Sequence, residues 1–418
     1  MRFLLILATM AWLVSPAAAR DLEKYCNLQG YPQALRQTLI VIDEHHIVPE
    51  SEKSGLPENR DWRRFVSNLI DFKRTGFERD FLPRERITLL VARRDGSGLT
   101  STVTGCIPSM SAEERAKTTS DQGIWSSVGD FFGSSPAAAL QKDVERFNLA
   151  IRTALVGLAK EENTSKSVDA GGSGVLESSL VSSFKRSRAV DLSKGIPRIL
   201  LYSDLTRFAL PATSDVVSAR QEGFSLGEQA GLNFERAELY VVSAGNSSPS
   251  PFTRDFFHAF FLKTRAQLLD FNGGGSVNNL GANPVRSEVY QGLVVYPGGD
   301  PFPMRMRLVQ DRNGGLVNSW ISVQSDIERF TPFAGVLNCE AETCTFTGDK
   351  MFAQIWTTNP NPEPEFQPDM PFVGVRELEF TIEDSKIKGA AYDRVLEIKD
   401  TPDNKLSFEL TRQQNAAF

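Results

Sequence analysis

The nine residues Thr38 to His46, TLIVIDEHH, constrain this chain more than any others. Leu39 to Ile42 form an unbroken apolar run that ends on Asp43. A half-exposed strand alternates apolar and polar side chains. An unbroken run of this length fits a strand covered on both faces, as in the middle of a parallel sheet. The residue just past the carboxyl end of such a strand lies where open α/β sheets bind ligands. A second run, Ile199-Leu200-Leu201-Tyr202-Ser203-Asp204, repeats the arrangement and also ends on an aspartate. Two inner strands that each deliver a carboxylate to one rim predict a rim site, without naming its ligand.

The surrounding chain alternates strand and helix. Thr38 to Asp43, Arg86 to Ala92, Arg198 to Asp204 and Glu238 to Ser243 read as strands. Asn59 to Thr75, Ala138 to Ala159, Leu176 to Phe184 and Phe252 to Phe271 read as helices, with apolar residues at helical spacing. Alternation of this kind implies an α/β fold: a doubly wound, mostly parallel, Rossmann-like sheet with helices on both faces. A polar stretch near 108–136, holding Trp125, Phe131 and Phe132, is expected to be an insertion. Asn272 to Asn283, NGGGSVNNLGAN, is rich in glycine and asparagine and marks the boundary, with a linker over 276–284. The α/β domain is therefore expected to cover residues 20–275.

Residues 285–418 have a different texture. Tyr290 to Tyr296, Met304 to Gln310, Val317 to Val323, Pro332 to Leu337, Thr343 to Gly348, Phe352 to Thr357, Val375 to Glu383 and Leu406 to Leu410 read as strands. Turn signals such as Gly298-Gly299-Asp300 and Asn313-Gly314-Gly315 separate many of them. Met304, Met306 and Leu308 alternate with Arg305 and Arg307, the pattern of a half-buried strand. Closely spaced strands of this type predict a smaller antiparallel all-β domain, a sandwich or a barrel.

The first nineteen residues read as a secretory signal peptide: Arg2, the apolar run Phe3 to Val14, then Ala17-Ala18-Ala19 before the cleavage point. A secreted or periplasmic location follows, and no later stretch is long and apolar enough to span a bilayer. Four cysteines, Cys26, Cys106, Cys339 and Cys344, favour disulfides in an exported chain and allow three pairings. Cys339 and Cys344 flank a short acidic segment that suits a bridge at a hairpin tip, which leaves Cys26 with Cys106. The net charge of -6 argues against nucleic acid as a partner, because that role needs a basic face.

In order and spacing, residues 33–275 resemble a von Willebrand factor type A (vWA) domain of the bacterial exported kind. TLIVID is similar to the first strand of that family with its leading aspartate, and Gly171 to Leu180 to the loop and helix that supply a hydroxyl. IPRILLYSDL is similar to the fourth strand, ELYVVSAG to the fifth, and the Phe-rich helix to the one before the final strand. The resemblance implies protein recognition at the rim, and often a metal-ion-dependent adhesion site with the signature D-x-S-x-S, a threonine and a second aspartate. Asp43 matches the first aspartate and Asp204 the last; Ser173 or Ser178 takes the threonine's place. His45 and Ile47 stand where the two serines belong. Mg²⁺ prefers oxygen ligands in octahedral geometry, and Ile47 offers none. The motif is therefore degenerate. No cofactor is expected, with a divalent cation, Mg²⁺ or Zn²⁺, as the alternative.

Only three histidines occur, His45, His46 and His258. His45 and His46 beside carboxylates bring zinc to mind, but adjacent loop residues diverge and no HxxxH spacing is present. Catalytic motifs are missing as well. Gly171-Gly172-Ser173-Gly174-Val175 does not fit the G-x-S-x-G elbow, and there is no P-loop lysine or CxxC pair. The expected function is an exported, adhesion-type binding module rather than an enzyme. Its rim residues would be Asp43, Glu44, His45, His46, Ser173, Ser178, Asp204 and Thr206, and its partner a protein of the periplasm or extracellular space. A hydrolase or metal-dependent enzyme at the same rim, and a structural part of an envelope assembly, are the alternatives. The oligomeric state is not readable.

Overall fold

The computed structural model describes residues 22–26, 34–47, 57–70, 81–93, 98–109, 136–160, 179–186, 192, 195–203, 205, 215–243, 249–273, 277, 280–296, 299–324, 328–341, 343–348, 351–355, 372–394 and 404–413. The first part of the chain builds a six-stranded sheet from β1 (Arg36–Asp43), β2 (Arg86–Ala92), β3 (Leu99–Cys106), β4 (Ile196–Tyr202), β5 (Ala237–Val242) and β6 (Ala266–Asn272). The strand order is β3-β2-β1-β4-β5-β6. Every neighbouring pair is parallel except β2 with β3, so the sheet is mixed but mostly parallel. β1 and β4 lie side by side at its centre and are buried at every position. That is the environment an unbroken apolar run requires.

Successive side chains of a strand point to opposite faces, and each face of this sheet has its own core. Ile40, Ile42, Leu200 and Tyr202 pack under α1 (Pro57–Ile70) and α2 (Pro136–Lys160), against Trp62, Phe65, Phe147 and Ile151. Leu39, Val41, Ile199 and Leu201 pack on the other face under α3 (Ser179–Arg186), α4 (Val216–Ala230) and α5 (Pro251–Lys263). The sheet is thus wound on both sides, as the alternation predicts.

Three departures from the sequence reading have physical causes. The segment expected as one helix from Phe252 to Phe271 is α5 followed by β6. Thr264 ends the helix, its hydroxyl donating to the carbonyls of Phe260 and Phe261 at 3.0 and 3.2 Å. Arg265 then takes a positive φ of 58°. Apolar residues continue through the junction, so hydrophobicity alone hides the change of period. β3 went unassigned because its burial is that of an edge strand rich in threonine and serine. α4 is also absent from the sequence reading; it carries Gly223 and Gly227, and glycine weakens a helical pattern. They are small because α5 crosses there: a Cβ on Gly223 would lie 2.1 Å from the carbonyl oxygen of Phe256, and one on Gly227 2.8 Å from that of Phe260.

The second part forms β7 (Pro284–Val295), β8 (Pro301–Asp311), β9 (Gly315–Gln324), β10 (Glu328–Glu340), β11 (Thr343–Gly348), β12 (Met351–Ile355), β13 (Phe372–Glu383), β14 (Lys386–Arg394) and β15 (Asn404–Arg412). β7 to β11 pair antiparallel in chain order, as do β13 to β15, and β15 returns to β7. β11 and β12 lie end to end along β13. Thr347 faces Glu379 and Met351 faces Arg376, so β11 and β12 act as one stave whose register along β13 shifts by one residue between them. The result is a closed, eight-staved, up-and-down barrel, which removes free sheet edges. Of the two architectures expected, it is the barrel.

Its interior is filled by side chains, among them Tyr290, Met304, Met306, Phe333, Phe346, Phe380 and Leu410, as suits a barrel of this size. Met304, Met306 and Leu308 point inward and Arg305 outward. β14 escaped the sequence reading because its centre is Gly389-Ala390-Ala391. A Cβ on Gly389 would lie 2.5 Å from Phe380 and 2.6 Å from the ring of Phe408, so small residues are what the aromatic packing permits.

β9 is buried on both faces from Asn318 to Val323. Its outward Trp320 packs with Phe330 against Phe224 of α4 and Ala259 and Leu262 of α5. The Arg236 guanidinium lies 4.5 Å from the Trp320 ring centroid. Sandwiched between sheet and barrel, α5 buries Phe256, Phe257, Ala259, Phe260, Phe261 and Leu262. A helix apolar over most of its circumference is a buried helix.

His258 sits in this sandwiched helix. Burial pushes its pKa down to about 4, outweighing the nearby Asp255. An unfolded histidine titrates near 6.5, so between the two values the unfolded chain binds a proton that the folded chain refuses. Stability contributed by the neutral ring is complete above pH 6.5 and falls as pH drops toward 4, by roughly 2–3 kcal/mol. Urea unfolding at pH 7 and 4.5 should show a smaller acid loss in His258→Gln than in the wild type. Equal losses would contradict this assignment.

Two disulfides join Cys26 to Cys106 and Cys339 to Cys344. The first ties the turn at 22–26 to the edge strand β3; the second links opposite residues of the β10–β11 ladder. Among the described residues, no helix is long and apolar enough to cross a membrane.

Candidate functional site at the carboxyl rim

Strand order reverses between β1 and β4, since the chain runs from β1 to β2 on one side and from β4 to β5 on the other. The carboxyl ends of two such strands open the crevice where this class of sheet binds ligands. Asp43, the last residue of β1, lies there and is 1% exposed. The Ser203 hydroxyl, just past β4, donates to Asp43 Oδ2 at 2.9 Å. Ser203 Oγ in turn accepts from the backbone N–H of Leu205 at 3.2 Å. Leu205 has a φ of 57°, so the chain turns sharply at this point. His46 Nε2 lies 3.6 Å from the same Asp43 oxygen.

The intervening residues form a single 3-10 turn, Glu44–His46, closed by the Ile47 N–H on the Glu44 carbonyl at 3.3 Å. Glu44 pairs with Arg93 at the end of β2, 3.3 Å away. Ile47 then dives into the core with Ile42, Trp62 and Phe65 and is 2% exposed. Farther along the rim, the Ser203 N–H donates to the Val242 carbonyl and the Ser243 N–H to that of Asn272. These bonds continue the ladder past the strand ends and hold the rim together.

Of the residues singled out from sequence, Asp43, Glu44 and His46 come together here. Ser173, Ser178, Asp204 and Thr206, and the side chain of His45, lie outside the described residues, as do Trp125, Phe131 and Phe132. Ser203 is the rim side chain that the sequence reading does not single out, naming its neighbour Asp204 instead. Its signal was a hydroxyl at the end of an inner strand beside one ending in aspartate.

Mg²⁺ demands a near-octahedral set of oxygens. The described rim offers the Asp43 carboxylate, which accepts from the Ser203 hydroxyl, and the Glu44 carboxylate, which pairs with Arg93, while Ile47 is a core side chain. Among the described residues, no group of three or more His, Cys, Asp or Glu side chains is placed to hold a metal ion.

The opposite, amino end of the sheet carries a buried ionic cluster. Glu85 is wholly buried and accepts from Arg36 through Nε at 3.2 Å and Nη2 at 3.1 Å. Arg198 Nη2 approaches the same carboxylate at 3.1 Å, and Thr38 donates to it. Burial opposes the charge on Glu85, but Arg36 and Arg198 hold its pKa below the usual value. Burial instead pushes Glu238 up, toward its neutral form. Arg198 also donates to the Leu280 carbonyl at 3.3 Å, and Arg36 donates to Asn283. The cluster therefore clamps the segment leading into the barrel onto the base of the sheet. Sequestered from water and bonded to one another through Glu85, Arg36 and Arg198 serve as a structural device, and the rim remains the candidate site.

No protein-family model matches the chain, and no curated protein matches it in sequence. The rim's own chemistry therefore carries the functional argument.

Proposed function

We propose that the chain is an exported binding module of vWA type, engaging a protein partner through the rim loops around Asp43 without the ion usual to that family. The reading is supported by the succession of elements. IPRILLY is the fourth strand, AELYVV the fifth, and the aromatic α5 precedes the sixth. The observation that carries the metal-free part is the bond from Ser203 to Asp43, together with Ile47 in the core. In this account the Asp43 carboxylate stitches β1 to β4 and shapes the loops, and the loops meet the partner. The signal-like leader and the two disulfides are in keeping with a secreted or periplasmic site.

A photo-crosslinking residue placed at Glu44 or Arg93 in the native host tests the rim. Both positions are expected to give adducts with a common protein, and a control at Glu409, exposed on the barrel, none. Absence of adducts from both rim positions, or the same adduct from Glu409, would overturn the assignment.

A further inference from the structure

The two disulfides differ in setting. Cys106 is 3% exposed and its partner Cys26 is half-buried in the turn packed on β3, whereas Cys339 is exposed and Cys344 half-buried at the tip of the β10–β11 hairpin. Exposed disulfides are the ones that exchange, because a thiolate must reach one sulfur in line with the bond. Cleavage at the tip would leave the hairpin intact. Below Cys339 and Cys344 the ladder continues through Leu337 opposite Phe346, both in the barrel core. The freed thiols would thus stay opposite each other and could close again.

The tip is also acidic. Glu340 follows Cys339 and is exposed. Across β11, Thr343 faces Glu383, which leads into Asp384, both exposed. Lys386, opposite Glu383, offsets part of this charge. A cluster of carboxylates repels an incoming anion within a Debye length, about 10 Å at moderate salt.

We infer that Cys339–Cys344 is a reversible thiol-exchange site for an uncharged or cationic dithiol, while Cys26–Cys106 stays closed in the folded protein. The thiolate of the dithiol attacks Cys339 Sγ and breaks the bond to Cys344, which leaves as thiolate and takes a proton. The second thiol of the reductant then displaces Cys339 from the mixed disulfide. Two electrons and two protons reach the protein, and the reductant departs as its own cyclic disulfide.

Timed treatment of the native protein with dithiothreitol, followed by alkylation and peptide mass spectrometry, reads the two pairs separately. Cys339 and Cys344 should become labelled on the order of a hundredfold faster than Cys26 and Cys106, a pair with no exposed member for a thiolate to reach. Far-UV circular dichroism should stay unchanged meanwhile. One common rate for both pairs, or labelling of the tip only as the dichroism is lost, would overturn the proposal. The charge preference is read from anionic glutathione against neutral 2-mercaptoethanol at low salt. Glutathione should lag, and Glu340→Lys with Glu383→Lys should narrow the gap. A gap unchanged by those substitutions would overturn the preference for an uncharged or cationic reductant.

Discussion

Glu85→Ala is expected to destabilise the protein by about 3–5 kcal/mol, the usual consequence of removing one partner from a buried ion pair. The effect is large because one carboxylate serves two guanidiniums. Arg36 and Arg198 are each at most 1% exposed, and both approach Glu85 within hydrogen-bond distance. Without it, two cations would face each other in a site sealed from water. Glu85→Gln keeps the shape and loses the charge, so its loss should be smaller but still measurable. The pKa of Glu85 lies below its unfolded value, so its contribution is complete above about pH 4.5 and disappears as pH falls through the folded value. Equilibrium urea unfolding provides the measurement; a loss under about 1 kcal/mol would mean that the arginines find other partners.

Removing the Cys26–Cys106 bridge should have an effect of similar size. The bond closes a loop with a sequence separation of 80, and the chain-entropy relation assigns about 4–5 kcal/mol to such a loop. The same relation assigns only about 2 kcal/mol to Cys339–Cys344, whose separation is 5. The long bridge also fixes a snug contact: a Cβ on Gly105 would lie 2.7 Å from Leu22 Cβ, so the turn at 22–26 rests directly on β3. The double variant Cys26→Ser/Cys106→Ser is therefore expected to unfold at much lower denaturant than Cys339→Ser/Cys344→Ser. Equal losses would contradict the entropic account and point to strain or residual structure.

The inner strands were legible because their pattern is set by one physical fact, burial on both faces. β1, β2, β4 and β5 were each found within two residues, and the change of texture after residue 275 announced the antiparallel domain. Elements shaped by a neighbour rather than by their own period were not legible. α4 carries glycines because the α5 backbone crosses it, and β14 carries glycine and alanine because Phe380 and Phe408 pass over its centre. β9 shows the opposite effect, since its outer face is covered by α4 and α5 and its alternation is lost. At the rim, Asp43 was legible from its place at the end of a strand. Ser203 was not, because its role depends on β1 and β4 lying side by side, 160 positions apart in sequence. The ionic cluster was invisible for the same reason: Arg36, Glu85 and Arg198 come from three strand starts that only the sheet brings together.

The direct test of the proposed metal-free rim is a calorimetric titration of the mature protein with Mg²⁺ and then Mn²⁺, beside Asp43→Asn. With Asp43 engaged by Ser203 and Ile47 in the core, wild type and variant should show the same absence of saturable heat at millimolar metal. Saturable Mg²⁺ binding by the wild type that is lost in Asp43→Asn would contradict the account and return the rim to ion-dependent adhesion.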